Sequence, residues 1–199
     1  MSDSLREHLL IASKFLRNPR TVGAVSASSK AMAREMVREI PTDKPVNVVE
    51  LGPGTGSFTR AIVERIAPGS RFLAIELDGE FVERLRPRWP SVEFVLASAE
   101  ELEHLVNKRH LQPVDHIVSG LPFASLPVDV SRKVMDGIQH TLRPGGTFTT
   151  FQYLHGYWMP PGRTFRREMS VRMGAPHRQL VLKNFPISFI LTWTRPAAS

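Results

Sequence analysis

The chain has 199 residues, no cysteine, and 26 Lys/Arg against 19 Asp/Glu, a formal charge of +7. That length holds one domain with a substantial core, and the missing cysteines exclude disulfide staples, thiolate zinc sites and cysteine nucleophiles, so a reducing compartment fits. The excess base lies late in the chain: from His155 onward, seven Lys/Arg (Arg163, Arg166, Arg167, Arg172, Arg178, Lys183, Arg195) face the single acid Glu168, a skew that suits a nucleic acid or an anionic membrane face, with plain solubility as the alternative.

Residues 4–17 have helical periodicity. Leu5, Leu9, Ala12 and Leu16 share one face, Arg6, Lys14 and Arg17 the other, and Asn18-Pro19 stops the run. A second helix is expected over 28–39, with Ser28 as N-cap and Pro41 beyond its end. Strands and helices then alternate. Strands are predicted at 46–51, 71–76, 92–96, 114–119 and 146–152. Helices are predicted at 56–67, 79–88, 99–110, 128–141 and near 163–173, and a closing antiparallel pair at 178–183 and 187–194. The expected fold is α/β: a doubly wound, mostly parallel, seven-stranded sheet with an N-terminal helical extension. Residues 1–40 form that extension and 41–199 the sheet domain. No apolar run approaches the roughly 20 residues of a spanning helix, and Met1-Ser2-Asp3-Ser4 lacks the charged lead of a secretory signal. A soluble or peripheral cytoplasmic protein is expected.

Residues 46–56 read V-N-V-V-E-L-G-P-G-T-G: an apolar run, the acid Glu50, then Gly52, Gly54 and Gly56 at alternate positions. A strand breaks there into a loop whose backbone must pass close to something. Twenty residues on, Glu76 closes the next apolar run, with Asp78 as its nearby competitor. A glycine turn followed by an acid on the next strand is how a doubly wound sheet holds a nucleoside. The spacing is E-x-G-x-G-x-G and not the dinucleotide G-x-G-x-x-G.

This pattern resembles the first motif of class I S-adenosylmethionine-dependent methyltransferases, which implies S-adenosylmethionine as cofactor and no metal. The resemblance implies that Gly52, Gly54, Thr55 and Gly56 approach the cofactor, that backbone amides serve its carboxylate, and that Glu76 accepts both ribose hydroxyls. Leu77, Ser98, Ala99 and Glu100 would border the purine, although Glu100 reads equally well as a first-turn helix acid. Glu50 would position the loop or face the sulfonium.

Val118-Ser119-Gly120-Leu121-Pro122-Phe123 lies where amino-directed methyltransferases carry a loop ending in Pro-aromatic. Ser119, at the strand end, would contact the cofactor; Pro122 would stiffen the loop, carbonyls of Gly120 and Leu121 would aim an amine lone pair, and Phe123 would offer a ring face to a cationic amine. Tyr153 and His155 are the residues able to cage the amine or relay its proton; the alternative is a rim tyrosine and a surface histidine. Ribosomal RNA adenine dimethyltransferases have Asn-Leu-Pro-Tyr here, and Gly120 departs from that. Most of the chain is instead similar to compact bacterial phospholipid N-methyltransferases, through Phe15-Leu16-Arg17-Asn18-Pro19-Arg20-Thr21-Val22-Gly23-Ala24-Val25, the Glu50–Gly56 motif and Ser119–Phe123; Ala27 stands where proline is expected.

That resemblance implies stepwise methylation of phosphatidylethanolamine towards phosphatidylcholine by an enzyme peripheral on the inner face of the membrane. Its partners would be an anionic, phosphatidylethanolamine-containing surface and the phospholipid substrate, with nucleic acid the less expected partner. Residues 4–17 would lie in the headgroup region, as would the aromatic loop Tyr157-Trp158-Met159-Pro160-Pro161, with Arg163, Arg166 and Arg167 near lipid phosphate. The competing readings are an RNA adenine N-methyltransferase and a non-catalytic basic binding module.

Overall fold

The computed structural model describes residues 30–182 and 186–197. The expected membrane-surface helix over 4–17, the start of the second helix and the segment Phe15–Val25 lie outside those residues. Helical residues 30–36 form α1. They are followed by β1 (Asn47–Leu51), α2 (Ser57–Val63), β2 (Arg71–Glu76), α3 (Gly79–Leu85), β3 (Glu93–Leu96), α4 (Leu102–Lys108), β4 (Val114–Ser119), α5 (Val128–Thr141), β5 (Leu142–Tyr153), α6 (Leu154–Trp158), α7 (Pro160–Met173), β6 (His177–Val181) and β7 (Ser188–Thr194). The seven strands make one sheet in the order β3-β2-β1-β4-β5-β7-β6. Neighbours run parallel except where β7 lies antiparallel to β5 and to β6.

Successive strand residues feed opposite faces. Val49, Leu51, Leu73, Ile75 and Ile117 pack with Leu102, Val134 and Met169 on one side. Val48, Phe72, Ala74 and Val118 pack with Met36, Ile40 and Ile62 on the other, so α1 shares the core of the sheet. Burial on both faces is why these strands read as unbroken apolar runs. Trp193 is fully buried, its ring stacked 5.7 Å from Phe148 and edge-on to Phe165. Trp193→Ala should lower unfolding free energy by about 3–5 kcal/mol in urea titration.

Helices α3 and α4 are shorter than the expected 79–88 and 99–110, and three further segments depart from the expected elements. Helix α2 ends at Val63, not 67, because the Arg65 and Ile66 amides both bond the Ile62 carbonyl and tighten the last turn. Strand β5 begins at Leu142, not 146: the Gly145 amide donates to the Arg195 carbonyl and the Arg195 amide to the Gly146 carbonyl, each at 2.8 Å. The aromatic segment expected as a loop is helical, α6 ending at Trp158 and α7 starting at Pro160, where a missing amide costs nothing. Tyr157 is buried there, whereas Trp158 and Met159 are 68% and 53% exposed.

Candidate active site

Strand order reverses between β1 and β4, the place where open α/β sheets bind ligands. Leu51 and Ser119 are register partners, so the loops after them leave the sheet side by side. Backbone bonds lock the edge: Gly52 amide to Ile75 carbonyl at 2.9 Å, Gly120 amide to Leu51 carbonyl at 2.8 Å, and Ala97 amide to Glu76 carbonyl at 2.9 Å. Gly52, Gly54 and Gly56 have φ of 70°, 54° and 83°. Three left-handed residues at alternate positions are the backbone reason for the spacing. A cleft of about 60 Å³ lies between the loops, lined by Gly52, Gly54, Glu76, Leu77, Ala97, Ser98, Ala99, Gly120, Leu121 and Pro122. Leu121 crowds Gly52, its Cδ2 lying 2.8 Å from where a Cβ there would sit.

Glu76 is the polar centre of this cleft. Its Oε2 accepts from the Gly54 amide at 2.9 Å, and its Oε1 accepts from the amides of Leu77 at 2.8 Å and Asp78 at 2.9 Å. Burial pushes its pKa up, and the three amides pull the other way. Asp78 is a helix cap: its Oδ1 accepts from the Glu80 amide at 3.0 Å. Glu50 is fully buried on the adjacent strand. Its Oε2 accepts from Thr59 Oγ1 at 2.7 Å, and its Oε1 has no hydrogen-bond partner among the described residues. Burial, aided by nearby Glu76, pushes Glu50 up to about 8. Glu50 lies on β1 behind the cleft lining; in the cleft itself Glu76 offers carboxylate oxygens at the glycine turn, and Leu77, Ala97 and Phe81 make an apolar wall for a purine. The residues present therefore fit the cofactor expected from the motif.

The Glu50 shift has a measurable sign. Below pH 4.5, its ordinary value, the carboxyl is protonated folded or unfolded; between there and about 8 only the unfolded chain ionises, so stability falls as pH rises. Glu50→Gln should melt like the parent in acid and higher than it at mildly alkaline pH, measured by thermal melts across that window without cofactor.

A second chamber of about 260 Å³ adjoins the first and shares Gly120 and Pro122 with it. Phe123, Phe151, Tyr153, His155 and Met159 add mostly apolar walls. Phe123 is stacked 4.3 Å from Phe165 and edge-on to Phe148, so one ring face is already taken by the core. Tyr153 stacks on His155 with centroids 5.8 Å apart, and burial raises its pKa, which keeps the phenol protonated at neutral pH. Any Cβ on residue 120 would stand 2.5 Å from the Gly52 carbonyl oxygen. Glycine here is a steric requirement of the two loops, a reason that single-chain reading missed because the partner lies 68 positions away.

Some expected residues stand apart from the cleft. Thr55 and Gly56 line a different groove, beside Trp89. A Cβ on Gly56 would meet Trp89 and Leu85 at 2.7–2.8 Å, so this glycine serves packing. Glu100 is held by Lys133 Nζ at 3.2 Å and by the Ser98 hydroxyl at 3.1 Å, and Ser119 Oγ accepts from the Leu121 amide at 3.2 Å. No metal-binding cluster of His, Cys, Asp or Glu occurs among the described residues.

A methyltransferase-domain family matches residues 48–146. The ornithine lipid N-methyltransferase of Singulisphaera acidiphila is 31% identical over 147 residues, 72% of this chain and 77% of that protein. Ribosomal RNA small subunit methyltransferase A of Thiobacillus denitrificans is 39% identical over 56 residues, 28% of this chain and 21% of the relative. The crystal structure of Burkholderia thailandensis 1,6-didemethyltoxoflavin-N1-methyltransferase, solved with its substrate and S-adenosylhomocysteine, superimposes with a TM-score of 0.67 at 19% identity, covering 96% of this chain and 87% of that one. Fold, cleft and these likenesses agree: the chain belongs to the class I S-adenosylmethionine-dependent methyltransferases.

Proposed function

We propose that this enzyme N-methylates the amine of a lipid headgroup at a bilayer surface, with phosphatidylethanolamine, methylated stepwise towards phosphatidylcholine, as the leading acceptor. The observation that carries this reading is the second chamber, apolar and aromatic, joined to the cofactor cleft through Gly120 and Pro122 and bordered by exposed Met159. The Singulisphaera acidiphila relative favours an ornithine lipid as the second acceptor to test.

When bound, S-adenosylmethionine supplies an electrophilic methyl group on sulfur. The chain's own residues seat and aim. Glu76 grips the ribose, Gly52 and Gly54 give backbone clearance, Glu50 positions the loop from β1, and Leu77, Ser98 and Ala99 border the purine. Carbonyls of the stiff Gly120-Leu121-Pro122 turn orient the amine, and Phe123 and Tyr153 wall its chamber. The amine must first shed a proton, and an apolar chamber lowers the pKa of an ammonium entering it. Among the described residues no carboxylate lines that chamber and the Tyr153 phenol stays protonated, so the proton leaves to His155, stacked on Tyr153 in the chamber wall, or to water.

The test is incubation with radiolabelled methyl donor and liposomes of phosphatidylethanolamine or of ornithine lipid, with ribosomal RNA in parallel. Label in mono-, di- or trimethylated lipid is expected. Label confined to RNA would transfer the assignment to nucleic acid.

A further inference from the structure

On the far side of the 156–161 turn from the acceptor chamber lies a groove of about 550 Å³. Arg163, Arg166 and Arg167 of α7 and Arg178 of β6 line it, and no acid does among the described residues. Arg166 is a built post: its guanidinium sits 3.6 Å from the centre of the Tyr157 ring and donates to Gln152 Oε1 at 2.6 Å, the Tyr157 carbonyl at 2.8 Å and the Gly162 carbonyl at 3.1 Å. Arg178 leans in from the edge strand, donating to the Tyr157 hydroxyl at 3.1 Å. Arg163, Arg167 and Arg178 are exposed and have no ion-pair partner among the described residues. Their acidic neighbour Glu168 is turned to Arg132 at 2.8 Å. Large apolar side chains crown the same region: Trp158, Met159, and Leu180 and Leu182, which follow Arg178 at alternate positions of β6 and the turn beyond it.

Unpaired guanidiniums around a deep groove favour a phosphate. Exposed tryptophan and leucine beside them favour a bilayer interface over a soluble ester. We propose that this groove binds the headgroup phosphate of an anionic phospholipid other than the substrate, docking the α7–β6 face so that the acceptor chamber opens onto the membrane. The proposal rests on the reading that the acceptor is a lipid.

The test uses the full chain and phosphatidylcholine vesicles with and without phosphatidylglycerol, read by flotation. Each arginine near an anionic surface contributes about a fivefold gain in partitioning. Arg163→Gln/Arg167→Gln/Arg178→Gln should therefore lose roughly 100-fold in binding to the phosphatidylglycerol vesicles. Arg84→Gln/Arg88→Gln, beside β3 at the opposite sheet edge, should lose little. Equal losses in the two variants or no loss in the triple variant would each overturn the proposal, as would RNA binding that depends on the same three arginines. Methyl transfer to lipid in detergent micelles is measured in parallel. Labelled lipid with unchanged flotation defeats only the docking site, and arginine-dependent flotation without labelled lipid defeats only the substrate assignment.

Discussion

Gly120→Ala should reduce kcat/KM by about 100-fold or more, while thermal melting shows a loss of roughly 1–3 kcal/mol. The added methyl would stand 2.5 Å from the Gly52 carbonyl oxygen, a backbone atom that cannot rotate away. One loop must therefore move. The Gly52 turn is tied to the Ile75 carbonyl and the Gly120 amide to the Leu51 carbonyl, so a shift strains bonds at the ends of β1 and β4 together. Since residue 120 lines both chambers, donor seat and acceptor seat are displaced at once. Steady-state kinetics with labelled donor check this, and a variant that turns over at the parental rate refutes the backbone-contact argument. The same contact bears on the RNA reading, because an asparagine at this position needs a different approach of the two loops.

Glu76→Gln should weaken binding of S-adenosylhomocysteine by about 10- to 100-fold, since a hydrogen bond to a charged acceptor contributes roughly 1.5–3 kcal/mol and glutamine loses one of the two. Glutamine keeps one acceptor oxygen but places an NH₂ against backbone amides that now donate to carboxylate oxygens. Part of the loss would come from the Gly54 turn losing its tether and not from the ribose itself. Isothermal calorimetry gives the affinity, and hydrogen exchange at Gly54, Leu77 and Asp78 reports the tether. Unchanged affinity would remove Glu76 from the cofactor site. Asp78→Ala, by contrast, should mainly cost helix-cap stability at α3, about 0.5–2 kcal/mol, with cofactor binding largely intact.

Much of the sheet was legible because strands buried on both faces leave continuous apolar runs. β2 and β4 match their expected spans, and β1 starts one residue later than expected. The cleft was legible for a chemical reason: positive φ needs glycine, and a buried acid at a strand end needs donors. Features set by distant partners were hidden. The packing of Gly56 against Trp89 and the ion pair of Glu100 with Lys133 leave no mark in the local pattern. Helix α6 was hidden too: it is five residues long, contains a glycine and abuts two prolines, so tertiary packing of Tyr157 against Phe189 at 4.3 Å prevails over local propensity. The start of β5 reads as a Pro-Gly-Gly turn and becomes strand because Leu142 pairs with Val114 on one side and Arg195 returns to pair on the other.

The meeting of Gly52 and Gly120 main chains leaves a partition one peptide thick between two rooms. On one side the furniture is invariant chemistry, a nucleoside and its charge. On the other, beyond the shared Gly120 and Pro122, much of the wall comes from residues 151–161, a stretch of strand end and short helix that does not line the first room. Exchange of those later residues can therefore retune which amine is admitted without disturbing how the methyl donor is held.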